Sequence, residues 1–228
     1  LLGRIRHEDV RDRTIAEVTA RFGLDETQAR RVSTTALDLL RQARAKWHLS
    51  GKEARCVLER AARLHEVGLL LAHDGYHKHG AYVIEHSDLP GYSRDDQRLL
   101  SALVRRHRRA FPASAFAHLP ADWVKPARHL CVLLRLAVVL HRSRSSEPLP
   151  KLELRVDRQQ MTLLFPATWL ARHPLTRADL QIEAGLLRAA GFALRVATVG
   201  AGKEGEDGIG DGAGTNTGEG IPPLLARA

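Results

Sequence analysis

Two cysteines in 228 residues leave little room for sulfur chemistry. Cys56 and Cys131 both sit in apolar helical patterns, and neither belongs to a CxxC pair. That argues against a disulfide framework and a thiolate metal site, and for a reducing, cytoplasmic setting. Long hydrophobic runs are also missing. The longest, Leu130 to Leu140, is interrupted by Arg135 and is too short to span a bilayer, so no membrane insertion is expected. No charged segment leads into an apolar run at the start, so the opening residues do not read as a signal peptide. Before Gly200 there is no Gly-rich loop between a strand and a helix, which removes the usual phosphate cradle for nucleotide hydrolysis.

Positive charge is what the chain has in excess. Lys and Arg number 35 against 26 Asp and Glu, a formal net charge of +9. Such an imbalance favours polyanionic partners: polyphosphate, nucleic acid or an anionic membrane surface. Hydrophobic residues make up 44%, enough for a packed core.

The patterning divides the chain. Residues 1–12 are polar and charged and read as a linker. Residues 13–146 carry helical periodicity. One helix is expected from Arg13 to Phe22. A second is capped by Asp25, with Gln28 completing a capping box. A third runs from about Lys52 to Leu71. Ala81–Ile84 suggests a short helix, and Asp88-Leu89-Pro90-Gly91 is a turn. Ser93 caps a helix reaching about Arg108, and Ala127–Arg142 forms another. Residues 147–199 change texture: Lys151–Asp157 and Gln160–Phe165 alternate as a hairpin. A helix from about Arg177 to Ala190 and a strand over 192–199 follow. From Gly200 to Gly220 the chain holds half of its 18 glycines, so residues 200–228 read as a disordered tail. The expected fold is mainly α: a helical domain, identified below as HD-like from its His-rich string, a small α+β domain and the glycine-rich tail.

The segment LHEVGLLLAHDGYHKHGAYVIEHSDLPGYS concentrates His65, His73, His77, His79 and His86, and ALVRRHRR adds His107. An LHDIG-like motif on a helix is how HD-type phosphohydrolases offer a His–Asp pair to a divalent metal, which activates water. Here the set is degraded. The early His position is Gln28, the paired carboxylate is Glu66, and the final Asp position is Val138. With His65 left as the motif's histidine, this chain is expected to keep the fold, hold no metal and do no HD-type catalysis.

Three strings carry a family resemblance from about Gly3 to Val196. Gly3–Thr14 (GRIRHEDVRDRT) resembles the junction that follows the catalytic domains of the bacterial exopolyphosphatase/guanosine pentaphosphatase family. The His-rich string with LVRRHRR resembles that family's HD-like domain. The stretch from PLPKLELRVD to LTRADLQIEA resembles its terminal α+β domain. The resemblance implies an upstream actin-like pair of domains, where a catalytic Glu works with Mg²⁺; nothing of that pair is visible in this chain. For this half it implies homodimerisation and binding of a long polyanion.

The expected function is therefore the polyphosphate-binding and dimerisation region of an exopolyphosphatase acting on inorganic polyphosphate. Guanosine pentaphosphate phosphohydrolase is the alternative. A stand-alone nucleic-acid or nucleotide-binding HD-like module is the alternative of another class. The start in RIRHEDVRDRT without Met reads as a piece of a longer protein. Its expected place is the cytoplasm, with a peripheral position at the inner membrane as a variant. Candidate phosphate ligands are Arg105, Arg106, Arg108, Arg109, Lys78, His77, His79 and His107, because guanidinium groups bind phosphate oxygens through charge-assisted hydrogen bonds. Arg4, Arg11 and Arg13 join them at the junction. This chain by itself is expected to release no phosphate from polyphosphate with Mg²⁺ or Mn²⁺. Turnover that disappears in His65→Ala would overturn that expectation.

Overall fold

The computed structural model describes residues 2–199, with side chains from Val10 onward. The glycine-rich segment from Gly200 lies outside the described residues. Eight α-helices and a three-stranded sheet make up the described chain, so the mainly helical expectation holds.

The first helix, α1 (Leu2–Arg21), begins well before the expected start. Residues 2–12 of the presumed linker form its first half. Its residues are mostly Arg, Glu, Asp and His with no proline, and charge without a breaker permits helix as readily as coil. Asp25 caps α2 (Glu26–Trp47), accepting from the Gln28 amide N–H. The reciprocal half of the capping box is absent because the Gln28 side chain donates instead to the His141 carbonyl, 2.8 Å away.

The third helix ends early. α3 spans Lys52–Leu64, and a 3-10 turn follows at Val67–Leu70. The turn lies against α4 (Tyr76–His86) at a point where two glycines meet. A Cβ at Gly68 would fall 2.0 Å from the Tyr76 carbonyl oxygen, and one at Gly80 would fall 3.1 Å from the Gly68 nitrogen. Backbone approach this close requires glycine at position 68, and a side chain at 80 would force its neighbours apart by a few tenths of an ångström. The short helix expected at Ala81–Ile84 is thus the middle of a longer one.

Ser93 and Asp96 form a full capping box at the start of α5 (Arg94–Arg106). α6 (Ala121–Leu140) begins six residues before its expected start and takes Pro126 into its second turn. Near a helix start the proline removes only one backbone bond, so the helix tolerates it.

β1 (Glu153–Asp157) and β2 (Gln160–Pro166) form the expected antiparallel hairpin, Glu153 opposite Leu164 and Asp157 opposite Gln160. α7 (Ala167–Arg172) and α8 (Pro174–Ala189) then carry the chain over to β3 (Ala193–Val199), which pairs parallel to β2. The sheet is no separate island. One apolar cluster runs from Ile15, Leu39 and Trp47 through Leu100, Leu133 and Leu136 to Leu154, Phe165, Leu187 and Phe192. The Trp47 indole N–H reaches the Arg158 carbonyl in the hairpin turn at 2.7 Å. Among the described residues no helix is long and apolar enough to cross a membrane.

At the centre of α6 the fully buried Arg135 accounts for the charge in the apolar run. Its Nε and Nη2 donate to the two carboxylate oxygens of Glu183 on α8, at 2.5 and 3.0 Å. Its Nη1 and Nη2 also donate to the carbonyls of Arg106 and Arg109, at 2.5 and 2.9 Å. Burial pushes the Glu183 carboxyl up, against the pull of Arg135. Arg135→Ala should lower stability by about 3–5 kcal/mol, since it strands a buried carboxylate. Arg135→Met with Glu183→Leu should recover a large part of that loss. Urea midpoints at unchanged m-value check it, and a single variant milder than the pair would contradict it.

Candidate functional site

The run Arg105–Arg109 begins in the last turn of α5 and continues into the turn beyond it. Arg135 bonds the Arg106 and Arg109 carbonyls, so this turn is pinned from beneath. Arg109 takes the left-handed conformation, φ 62°. The result splits the run. Arg105 and Arg109 are exposed, and Arg108 lies half-buried over the Tyr76 ring, 4.7 Å from its centre.

Arg106 is half-buried like Arg108. Its Nε is buried without a partner, and its pKa is lowered by burial and by Arg105. His107 is 1% exposed, with Nδ1 2.6 Å from the Val104 carbonyl and Nε2 3.3 Å from the Tyr76 hydroxyl. His107, expected among the phosphate ligands, is therefore placed in the interior, while half-buried Arg106 has its Nη1 3.5 Å from the Ala110 carbonyl. A helix's last turn cannot turn four consecutive side chains to one face.

α4 supplies the opposite wall. Lys78 and His79 are exposed, while His77 faces inward. Burial first, then Arg108, Lys78, Arg109 and Arg105, hold the His77 imidazole down to about 4. The fields of those four cations thus all act on one neutral ring. Among the described residues none of the four forms an ion pair with a carboxylate.

The junction arginines stand elsewhere. Arg11 donates to the Gly91 carbonyl at 2.6 Å and pairs with Asp96 at 2.8 Å. With Thr14, whose hydroxyl donates to the Pro90 carbonyl, it fastens α1 to the turn before α5. Asp96 and Arg105 lie toward opposite ends of α5, a helix about 20 Å long at its normal rise. Arg11 is thus a structural clamp and does not join the cluster. Arg13 is exposed on α1, and the side chain of Arg4 lies outside the described residues.

The degenerate HD positions do converge on one place, joined by residues that sequence reading did not single out. His65 is buried, its Nδ1 2.7 Å from the Ala62 carbonyl and its Nε2 3.8 Å from Glu66. Glu66 accepts from Arg144 at 2.5 Å, and the same guanidinium reaches Asp25 at 2.9 Å. His141 bonds the Thr35 hydroxyl at 2.7 Å and is pushed down to about 4 by burial, then by Arg31 and His65. Gln28 gives its amide to His141, and Val138 packs half-buried against the core. The carboxylates here already hold a guanidinium, and the residues do not fit a metal. Among the described residues no group of three or more His, Cys, Asp or Glu is placed to hold one. An arginine three residues past a helix-ending histidine gives little sequence signal, whereas Arg135 was visible as a charge alone in an apolar run.

Comparison with known proteins gives the class to which this arrangement belongs. The chain belongs to the Ppx/GppA phosphatase family, whose domain III matches residues 10–184. It is similar to a guanosine-5'-triphosphate,3'-diphosphate pyrophosphatase of Pseudoalteromonas translucida, 33% identical over 183 residues, covering 80% of this chain and 37% of that protein. Proteins of the same name are 35% identical over 195 residues in Vibrio cholerae, with 84% and 38% covered, and 36% identical over 184 residues in Photobacterium profundum, with 81% and 36% covered. The chain spans less than two fifths of the length of these curated relatives.

The buried imidazoles set an acid limit. His65, His77, His107 and His141 all have folded pKa values below the ordinary 6.5. The unfolded chain therefore binds protons that the folded one refuses, and stability falls as pH drops from 6.5 toward 4. At pH 5 each of the stronger shifts should cost about 1 kcal/mol or more. The melting temperature should fall by roughly 5–10 °C between pH 7 and pH 5. His77→Gln, which removes a titrating ring, should flatten that slope, and an unchanged profile would contradict this assignment.

Proposed function

We propose that this chain is the phosphate-binding region of a guanosine pentaphosphate phosphohydrolase. One observation carries the reading: Arg108 lies 4.7 Å over the Tyr76 ring, itself 6.2 Å from the His77 ring, and with Lys78, Arg105 and Arg109 it acts on that ring without carboxylate partners among the described residues. Uncompensated cations on a pinned turn are costly unless an anion satisfies them, and phosphate oxygens accept from guanidinium and ammonium groups at once. The start of α4 adds the positive end of a helix to the same place. The similar proteins named for guanosine-5'-triphosphate,3'-diphosphate support this substrate over a purely inorganic one.

Inorganic polyphosphate remains the second reading, because the four contacting groups recognise charge and nothing of a nucleoside. In either case the cluster holds the polyanion while hydrolysis takes place on other parts of the complete protein, with Mg²⁺ there. A homodimer belongs to the same proposal. Leu175 and Ile182 stand 79% and 63% exposed on the outer face of α8, where a second subunit would cover them.

Binding should be electrostatic and localised. Arg105→Ala/Arg108→Ala should weaken guanosine pentaphosphate and long polyphosphate strongly and lower the slope of log affinity against log salt by roughly two. Arg172→Ala/Arg177→Ala, on α7 and α8, should change neither by much. Titration at three salt concentrations, with duplex DNA as a third ligand, checks it. Equal losses from both pairs, or tighter binding of DNA at matched charge and salt, would move the nucleic-acid module ahead.

A further inference from the structure

The exposed face of α4 continues away from the cation cluster as a row of different chemistry. Lys78, Tyr82 and His86 follow at four-residue spacing, which places them one above the other on a helix. At the helical rise Tyr82 lies about 6 Å and His86 about 12 Å along the axis from Lys78. Tyr82 is 63% exposed. Its ring stacks on that of His86, centroids 4.1 Å apart and planes 18° from parallel. His86 Nδ1 is 3.0 Å from the Tyr82 carbonyl, which fixes the lower ring of the pair. The outer face of the tyrosine ring is left open. Glu85, the acid beside this row, has its carboxylate 3.2 Å from the Ser101 hydroxyl.

We propose that Tyr82, supported by His86, is a stacking platform for the base of a nucleoside polyphosphate whose phosphates lie on Lys78, Arg105 and Arg108. This rests on the phosphate-binding reading and adds to it the residue that separates a nucleotide from inorganic polyphosphate. A flat aromatic surface has no use for a ligand made of phosphate alone. A ligand with a π-face at one end and several charges at the other matches the row in order and in spacing. Stacking on an aromatic side chain accepts any base, so the platform selects for the presence of a base more than for its identity. A protein partner is the rival occupant, since Leu70 of the 3-10 turn and Leu71 just after it are also exposed.

The test uses this chain with guanosine 5'-triphosphate and inorganic tripolyphosphate, which carry the same run of phosphates. Tyr82→Ala should weaken the nucleotide about tenfold and leave tripolyphosphate unchanged, while Tyr82→Phe should behave as wild type. The guanine H8 resonance should move upfield on binding to wild type and Tyr82→Phe, and stay in place with Tyr82→Ala. Equal loss for both ligands, no loss for the nucleotide, or no ring-current shift in wild type overturns the platform. Arg105→Ala/Arg108→Ala serves as the separate control: if it spares both ligands, the phosphate reading fails, whatever Tyr82→Ala does. Wild-type protein that binds neither ligand overturns both.

Discussion

One guanidinium, that of Arg135, meets four obligations at once in a place without water. It neutralises Glu183, it satisfies the carbonyls of Arg106 and Arg109, and it lies 5.3 Å from the centre of the Phe111 ring. A buried ion pair adds little net stability when compared with a hydrophobic replacement. Its value here is positional. The carbonyls at the end of α5 have no further helix to bond, and Arg135 replaces it at the turn bearing the exposed arginines. α8 holds the other end through Glu183. The helical layer and the sheet layer therefore meet at the residue that also shapes the basic turn.

The cation cluster and the buried histidines are two parts of one electrostatic arrangement. Desolvation favours the neutral imidazole, and the nearby cations push in the same direction. His77 is accordingly a neutral filler beneath a positive surface, and His65 and His107 stand edge to face at 5.4 Å in the same interior. Because these rings carry no charge, the positive field outside is that of Lys78 and the arginines alone. On the far side of His65, Arg144 bridges Asp25 and Glu66 across the degenerate HD positions. An internal cation there keeps two carboxylates from repelling each other.

Much of this was legible in the sequence. Periodicity located most helices, the Ser93 cap and the hairpin, because these depend on neighbours in the chain. The basic run and the His-rich string were visible as composition. The sequence could not show which members of the run face outward, since that is set by Arg135 from another helix. Nor could it show that His107 lies in the interior or that Arg11 is tied to α5, because their partners, the Tyr76 hydroxyl and Asp96, lie tens of residues away. The early end of α3 was hidden for a similar reason, because only the fold reveals how closely Gly68 and Gly80 approach. The parallel pairing of β3 depends on a crossover that alternation alone does not encode.

That glycine contact makes the histidine interior unusually brittle to inheritance. Position 68 has no spare volume for even a methyl group, because the nearest obstacles are backbone atoms of α4 and cannot rotate away. A single-step change there would drive the 3-10 turn off α4, separating the segment that follows His65 from the segment that carries His77 and Lys78. Drift in the surrounding charges can be gradual, one arginine at a time. Drift at this seam can only be abrupt, so any descendant that keeps the basic turn in register must also keep a side chain of one hydrogen at position 68.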